Sequence, residues 1–291
     1  MLFVSYNQNS GGRSGHKLKD LFTSVILAHA LKSGCVIHPT WKKQKFLPFK
    51  RVSQVLLPRR PDYDRIYNFH SPKRYWGGIP KEEIKAFLAV GKALLACQGD
   101  TIINLSNVYR VHLSQLHSWE NEGICERGTF LSSLKTLREM YWGSSFPETP
   151  SEIVRNIAIH VRRGDIYRAK RGKMPWNSVW GLDFYSALIF QLKAEYPEAQ
   201  LHIYSEKENS ADLRKLSNVE LHLGGGAELT QHFRKMVSAD IFIPTDSGLS
   251  IWAAYLASGH VHVYHADQIH HFSRPEDVDS FRRCELTTQL T

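Results

Sequence analysis

Ile157-Ala158-Ile159-His160-Val161-Arg162-Arg163-Gly164-Asp165 is the stretch from which the fold can be read. Ile157, Ile159 and Val161 alternate with Ala158, His160 and Arg162, the period of two that marks a strand. That strand runs out into two arginines, a glycine and an aspartate. A guanidinium is costly to bury unless an anion offsets its lost hydration. Two of them at the carboxyl end of an apolar strand suggest a doubly charged ligand. Phosphate or pyrophosphate suits the guanidinium fork best, and in open α/β sheets ligands sit beyond that end of the strands. The plainer alternative pairs one arginine with Asp165 and leaves the other in solvent.

Downstream the pattern alternates. Strands are predicted over 156–163, 200–204, 219–223, 240–244 and 260–264, with helices over 182–195, 209–216, 228–238 and 249–258 between them. Strands separated by helices of this length imply crossover connections and a parallel sheet. Upstream, strand Leu2–Tyr6 leads through a glycine loop, Asn9–Gly15, into a helix over about 17–32. Leu18, Leu21, Phe22, Val25 and Ile26 share one face of that helix. Gly34 is predicted to close it before a strand at Cys35–Ile37. Residues 42–80 are basic, proline-bearing and read as irregular; a strand at Thr101–Leu105 and a helix at Thr129–Trp142 follow. The turn-rich Phe146-Pro147-Glu148-Thr149-Pro150 is the best boundary. It divides the chain into two α/β domains, 1–150 and 151–291, with parallel sheets expected to face each other across a cleft.

Composition narrows the classes. With 291 residues and 42% of them hydrophobic, there is material for two real cores. No run of 18 apolar residues occurs, the length a membrane span needs. The apolar start Met1–Tyr6 lacks the charged region of a signal peptide. A cytoplasmic protein is expected, or a soluble catalytic domain without its membrane anchor. The net charge of +9 suits anionic ligands, nucleic acid included, although clusters such as Lys42–Lys45 and Arg168–Lys173 are more often solvated faces. Four cysteines without a C-x-x-C pair argue against zinc and against a disulfide-dense scaffold.

Three further segments carry polar chemistry at strand ends. Gly11-Gly12-Arg13-Ser14-Gly15-His16 lies between a strand and a helix, where backbone N–H groups can approach an anion. A purely structural loop explains it equally well. Pro244-Thr245-Asp246-Ser247-Gly248-Leu249-Ser250 occupies the same kind of place in the second half; its hydroxyls can cap the following helix or donate to a phosphate. Tyr204-Ser205-Glu206 ends a parallel strand at the same edge as Arg162 and Arg163. Glu206 can hold a base or ribose there, or cap the next helix. Trp176, Trp180, Tyr185, Tyr75 and Trp76 could stack on a sugar, although aromatics of this density are more often core; the 168–180 loop, with its mix of Arg, Lys, Trp and Gly, is the better candidate for an acceptor lip.

Together these segments resemble the superfamily of α1,2-, α1,6- and protein O-fucosyltransferases. His160-Val161-Arg162-Arg163-Gly164-Asp165 matches its H-x-R-R-x-D signature, Gly12–His16 resembles its N-terminal G-G-x-G-N loop, and Tyr204-Ser205-Glu206 resembles its strand-end F-S-D-D. Ser247-Gly248-Leu249-Ser250-Ile251-Trp252-Ala253-Ala254-Tyr255-Leu256 resembles S-S-F-S-x-x-A-A-x-L. The order is kept and the match spans nearly the whole chain, strongest from 156 to 260.

The resemblance implies a GT-B type fold of two Rossmann-like domains, with an acceptor-side N-terminal domain and GDP-fucose bound mainly by the C-terminal one. It also implies an inverting, metal-independent transfer of L-fucose to a hydroxyl of an oligosaccharide or glycoconjugate, with no cofactor. Arg162 and Asp165 would be the catalytic pair. The donor would lie among Gly12, Gly15, His16, His160, Arg162, Arg163, Ser205, Glu206, His232, Thr245, Asp246, Ser247 and Gly248. Departures are visible: Arg13 and His16 replace a Gly and an Asn, His232 stands where relatives often carry a guanine-contacting acid, and Arg168, Ala169 and Lys170 stand where α1,6 enzymes place an acidic candidate base. Asp165, His16 and Glu206 are the remaining candidates for that base. Two alternatives are kept: the same fold with another nucleotide sugar, and a non-catalytic nucleotide- or RNA-binding module. The interleaved aromatic and basic residues of an RNA platform do not occur here, so no nucleic-acid partner is expected.

Overall fold

A computed structural model of the chain describes residues 1–6, 14–36, 55–56, 64–70, 81–106, 118–143, 146, 150–163, 180–208, 210–225, 228–245, 247–264 and 280–286. The chain divides into two units, Met1–Phe146 and Pro147–Thr291.

The first unit builds on β1 (Leu2–Tyr6), all five residues of which are buried. Next come α1 (Ser14–Ala30), β2 (Gly34–Val36), β3 (Val55–Leu56), β4 (Arg65–His70), α2 (Lys81–Leu95), β5 (Thr101–Ser106) and α3 (Thr129–Trp142). The strands form one parallel sheet in the order β3-β2-β1-β5-β4. The predicted face of α1 is buried throughout, from Leu18 to Ile26. His29 joins it to α3 through a 3.0 Å hydrogen bond to Thr136.

Three sequence expectations change here, and a helix is added. The 42–80 stretch is not wholly irregular, since it contains β3 and β4. α2 carries its apolar stripe Ile84, Phe87, Leu88 and Leu94 at helical spacing, and the Phe87 ring meets Phe69 of β4 edge-on at 5.0 Å. α1 starts at Ser14, so Gly15 and His16 belong to its first turn and not to the preceding loop. The left-handed residue ending α1 is Lys32 (φ 53°), with Ser33 N–H donating to Ala28 O. Gly34 is instead the first residue of β2, where a Cβ would lie 2.7 Å from the Phe3 ring.

The second unit runs β6 (Asn156–Val161), α4 (Leu182–Glu195), β7 (Gln200–Ser205), a 3₁₀ turn (Ala211–Lys215), β8 (Glu220–Leu223), α5 (Glu228–Val237), β9 (Ile241–Ile243), α6 (Gly248–Leu256), β10 (His260–Tyr264) and β11 (Phe281–Cys284). The 3₁₀ turn replaces the predicted helix 209–216, and β11 is unanticipated. All six strands are parallel in the order β11-β10-β9-β6-β7-β8. Counted from β6 as strand one, that is 3-2-1-4-5-6, the doubly wound dinucleotide-binding order. The order reverses between β6 and β9.

One face of this sheet packs Ile157, Ile159, Val161, Leu201, Ile203, Ile241 and Ile243 against Tyr185, Leu188, Ile189 and Leu192 of α4. Burying each of the larger side chains contributes about 1.5–3 kcal/mol before entropy is subtracted. α5 lies against β6 and α6 and buries Phe233, Met236 and Val237. α6 is buried from Ser250 to Leu256, which explains why its sequence shows no polar face. Asp240 aligns the switch strands: its Oδ2 accepts the Arg155 and Asn156 N–H groups at 2.9 and 2.8 Å. Among the described residues no helix is long and apolar enough to cross a membrane.

The turn from α6 into β10 leaves no room for a side chain at Gly259, where a Cβ would stand 2.3 Å from the carbonyl oxygens of both Ala239 and Asp240. Those atoms belong to backbone leading into β9 and cannot swing aside. Gly259→Ala is expected to lower unfolding free energy by about 3 kcal/mol. Gly225→Ala, which meets nothing within 4 Å, should change it by less than about 0.5 kcal/mol. Urea denaturation of the two variants checks the contrast.

Candidate functional site

Ligands of doubly wound sheets bind beyond the carboxyl ends of the strands at the reversal of strand order. In this chain that place lies after Val161 of β6 and Ile243 of β9. The two strand ends are joined side chain to side chain: His160 Nδ1 lies 2.9 Å from Thr245 Oγ1, and both residues are buried. Burial pushes the His160 pKa down to about 4. Glu206 opposes that shift, while Arg162 and His232 reinforce it. The imidazole is therefore neutral at physiological pH, and either its Nδ1–H donates to the threonine hydroxyl or its bare Nδ1 accepts from it.

The segment after β9 is tied down at several points. Thr245 N–H donates to Ser250 Oγ at 2.9 Å, and Ser247 N–H donates to Thr245 O at 2.7 Å. Ser247 stands at the N-cap of α6 with extended backbone (φ −144°, ψ 132°), yet its hydroxyl makes no capping hydrogen bond. Gly248 opens the helix behind it. A helix start without a side-chain cap leaves the positive end of the dipole and its N–H groups available to an anion. The serine in the structural role is Ser250. Its spacing of three from Ser247 was visible in the sequence, but the choice between the two was not.

The two arginines part company. Arg162 is partly exposed at the edge of the sheet. Arg163 is 1% exposed, and its Nη2 donates to Asp212 Oδ2 at 3.0 Å while its guanidinium lies over the Tyr185 ring, 5.9 Å from the centroid. Arg163, expected at the donor, is engaged inside the unit, where it braces the end of β6 against α4 and the 3₁₀ turn. No local signal announces Asp212, which is 49 residues away in the chain.

Ser205 and Glu206 lie one strand over. Glu206 Oε2 accepts the Arg163 N–H at 2.8 Å, joining the ends of β6 and β7, so the carboxylate does not cap the turn that follows. The Ser205 hydroxyl is buried without a hydrogen-bond partner among the described residues. His232 of α5 sits in a group of rings, 5.3 Å from Tyr204 and 6.1 Å from His222. Its pKa is lowered by burial and by His222.

The structure thus brings His160, Arg162, Thr245, Ser247 and Gly248 to the switch point, with Ser205 and Glu206 beside them. Gly15 and His16 lie in the first turn of α1, in the other unit. Gly12, Asp165 and Asp246 lie outside the described residues, as do Tyr75, Trp76 and Trp176. Trp180 is described, and it packs with Phe184 and Tyr185 at 4.5 and 6.2 Å as part of the core margin instead of an acceptor lip.

No protein-family profile matches the chain, and no curated protein matches it. Among solved structures, the fucosyltransferase NodZ from Bradyrhizobium superposes with a TM-score of 0.39 at 14% identity, over 88% of this chain and 92% of that one. A superposition this loose carries no residue or reaction across.

A His160 pKa of about 4 against an ordinary 6.5 has a definite consequence for stability. Above pH 6.5 the ring is neutral whether folded or not. As pH falls from 6.5 toward 4 the unfolded chain takes up a proton that the folded site refuses, and stability is lost. The loss from this residue is expected to be on the order of 2–3 kcal/mol. Several other histidines titrate in the same window, so the measurement is a difference: His160→Asn should show a shallower fall in unfolding free energy between pH 7 and 4 than the parent. Parallel curves would mean that His160 is not a neutral buried ring.

Proposed function

We propose that the C-terminal unit binds the diphosphate of a nucleotide sugar at its switch point, and that the chain is an inverting glycosyltransferase of GT-B type. The donor best supported is GDP-fucose, and the acceptor is a hydroxyl of an oligosaccharide or glycoconjugate. One observation carries this reading: the dinucleotide-binding strand order has Arg162 on one side of its switch and the side-chain-uncapped start of α6 on the other. The fucosyltransferase-like motifs supply the donor sugar.

The chemistry follows from charge. As the bond from sugar to diphosphate breaks, negative charge grows on the leaving group. Arg162 meets it with a guanidinium fork, and the first N–H groups of α6 with the Ser247 hydroxyl meet it with fixed dipoles. These groups are set before reaction, His160 and Thr245 holding one strand end to the other without adding charge. Cationic and dipolar groups of this kind do the work assigned to a metal ion in other transferases. The chain does contain two D-x-D triplets, Asp62-Tyr63-Asp64 and Asp277-Val278-Asp279, so metal independence rests on the cations and not on the want of that motif. Asp64 Oδ2 accepts the Asp100 N–H at 2.6 Å, a structural task. Of the three candidate bases only Glu206 has a described side chain, and one of its oxygens orients Arg163.

His232 favours keeping a second donor in view. A neutral imidazole offers one acceptor nitrogen and cannot take both N1–H and N2–H of guanine as a carboxylate does.

Thermal shift separates the readings, because a ligand that binds only the folded state raises its stability. GDP and GDP-fucose are expected to raise Tm, UDP and a short RNA much less. A UDP-selective shift points to the other nucleotide sugar, and an RNA-selective one to a binding module. Within the GDP-selective outcome, Arg162→Lys should lower kcat/KM by about 30- to 1000-fold, since one ammonium cannot reproduce the fork. Near-parental turnover in that variant removes Arg162 from the reaction.

Ser247→Ala tests the helix start. No cap is lost, so stability should hold within about 0.5 kcal/mol. GDP affinity should fall by about 1 kcal/mol or more if the hydroxyl reaches the phosphate. Calorimetry showing unchanged affinity would leave the site to Arg162 and the backbone alone.

A further inference from the structure

Away from the switch point, the outer strands of the C-terminal sheet bring three ligand-type side chains together. β7 and β8 pair with His202 opposite Glu220 and Tyr204 opposite His222, so these four residues share one face of the sheet. His202 Nδ1 lies 3.1 Å from His222 Nε2 and 3.3 Å from Glu220 Oε2, and His222 Nε2 lies 3.5 Å from Glu220 Oε1. Among the described residues this trio is the group of histidine, cysteine and carboxylate side chains whose donor atoms converge closely enough for one ion.

The spacing is informative. Zinc binds imidazole nitrogen and carboxylate oxygen at about 2.0–2.2 Å with near-tetrahedral angles, which sets neighbouring donor atoms about 3.3–3.5 Å apart. The two imidazole nitrogens lie 3.1 Å apart, and each has a different oxygen of Glu220 within 3.5 Å, so the carboxylate can turn one oxygen toward an ion held between the rings. An ordinary hydrogen-bonded cluster would explain one of these contacts, since a single imidazole N–H can serve only one short contact well; here two nitrogens and a carboxylate face a common point. The rings are also held in place: the His222 ring stacks on Tyr204 at 4.7 Å and 9°, and His202 lies 5.3 Å from His222. Orientation of ligand rings by their neighbours is what a metal site needs. Access is open from one side, with His202 and His222 side chains 15% and 26% exposed and Glu220 65% exposed.

We propose that His202 Nδ1, His222 Nε2 and the Glu220 carboxylate bind one zinc ion, with solvent at the fourth position. The site runs against the expectation, drawn from cysteine spacing alone, that the chain holds no zinc. It lies on the outer two strands, apart from the groups assigned to the diphosphate, with the His222 ring 6.1 Å from that of His232. Its effect is on the edge: β8 is a four-residue strand paired on one side only, and an ion shared between β7 and β8 clips it to the sheet where backbone pairing is weakest.

The test uses the full chain without a histidine tag, dialysed against chelator and then freed of it. Zinc calorimetry is expected to show one site with a Kd below about 10 μM, and cobalt(II) the visible absorption of a tetrahedral complex. Zinc should raise Tm, and chelator should reverse the rise. Glu220→Gln, an exposed and isosteric change that leaves the fold intact, and His222→Asn should each weaken binding at least about tenfold, while His29→Asn in the other unit leaves it unchanged. GDP binding or circular dichroism matching the parent confirms that the variants are folded. Zinc binding weaker than about 10 μM in the parent, or affinity that Glu220→Gln and His222→Asn both leave intact, overturns the assignment.

Discussion

The buried hydrogen bond between His160 and Thr245 holds together the place on which the C-terminal unit depends. β6 and β9 are neighbours in the sheet but lie far apart in the chain, and beyond their last paired residues no backbone ladder connects them. A side-chain bond closes that gap. It tolerates burial because the imidazole is neutral, and the ring is neutral because it is buried, since desolvation outweighs the attraction of Glu206 for a proton. The site can thus keep a polar contact in its interior without an uncompensated charge.

Around that bond, several polar groups are engaged by the fold. Ser250 takes the Thr245 N–H, Asp212 takes the Arg163 guanidinium, Glu206 takes the Arg163 N–H, and Asp240 takes two N–H groups at the start of β6. Each bond fixes a loop or strand end that would otherwise fray. Arg162 and Ser247 lie at the carboxyl edge. Just past the end of β6, Arg163 is buried on the α4 side and matched inside, while Arg162 is partly exposed. The doublet is therefore one brace and one candidate ligand group, and its summed charge overstates what a phosphate meets.

The N-terminal unit makes a related point with apolar groups. Gly34 lies against the Phe3 ring, so the loss of a side chain on β2 allows a large one on β1. The left-handed turn needed to leave α1 falls on Lys32, a residue with no special aptitude for it, because the Schellman-type bonds and the burial of Leu31 over-determine the backbone there.

Much of the second unit was legible in one dimension. Alternating apolar residues set strands β6, β7, β8, β9 and β10, the 3.6-residue stripe set α4 and α5, and the crossover lengths implied a parallel sheet, because these are local periodicities that burial on one or two faces imposes on any chain. The Arg-Arg strand end and the Thr245–Ser250 turn both fall at the carboxyl edge of the sheet, because both follow strands in the pattern. Less visible were β3, β4 and β11, where short edge strands bury too little to leave a period, and α2, whose polar face masks its stripe. What only the tertiary structure decided was partnership: which arginine Asp212 would meet, which serine would hold the Thr245 amide, that His160 would be neutral, and that His202, Glu220 and His222 would converge. Each depends on distances between residues remote in sequence and on exclusion of water, and neither quantity is written in the order of the residues.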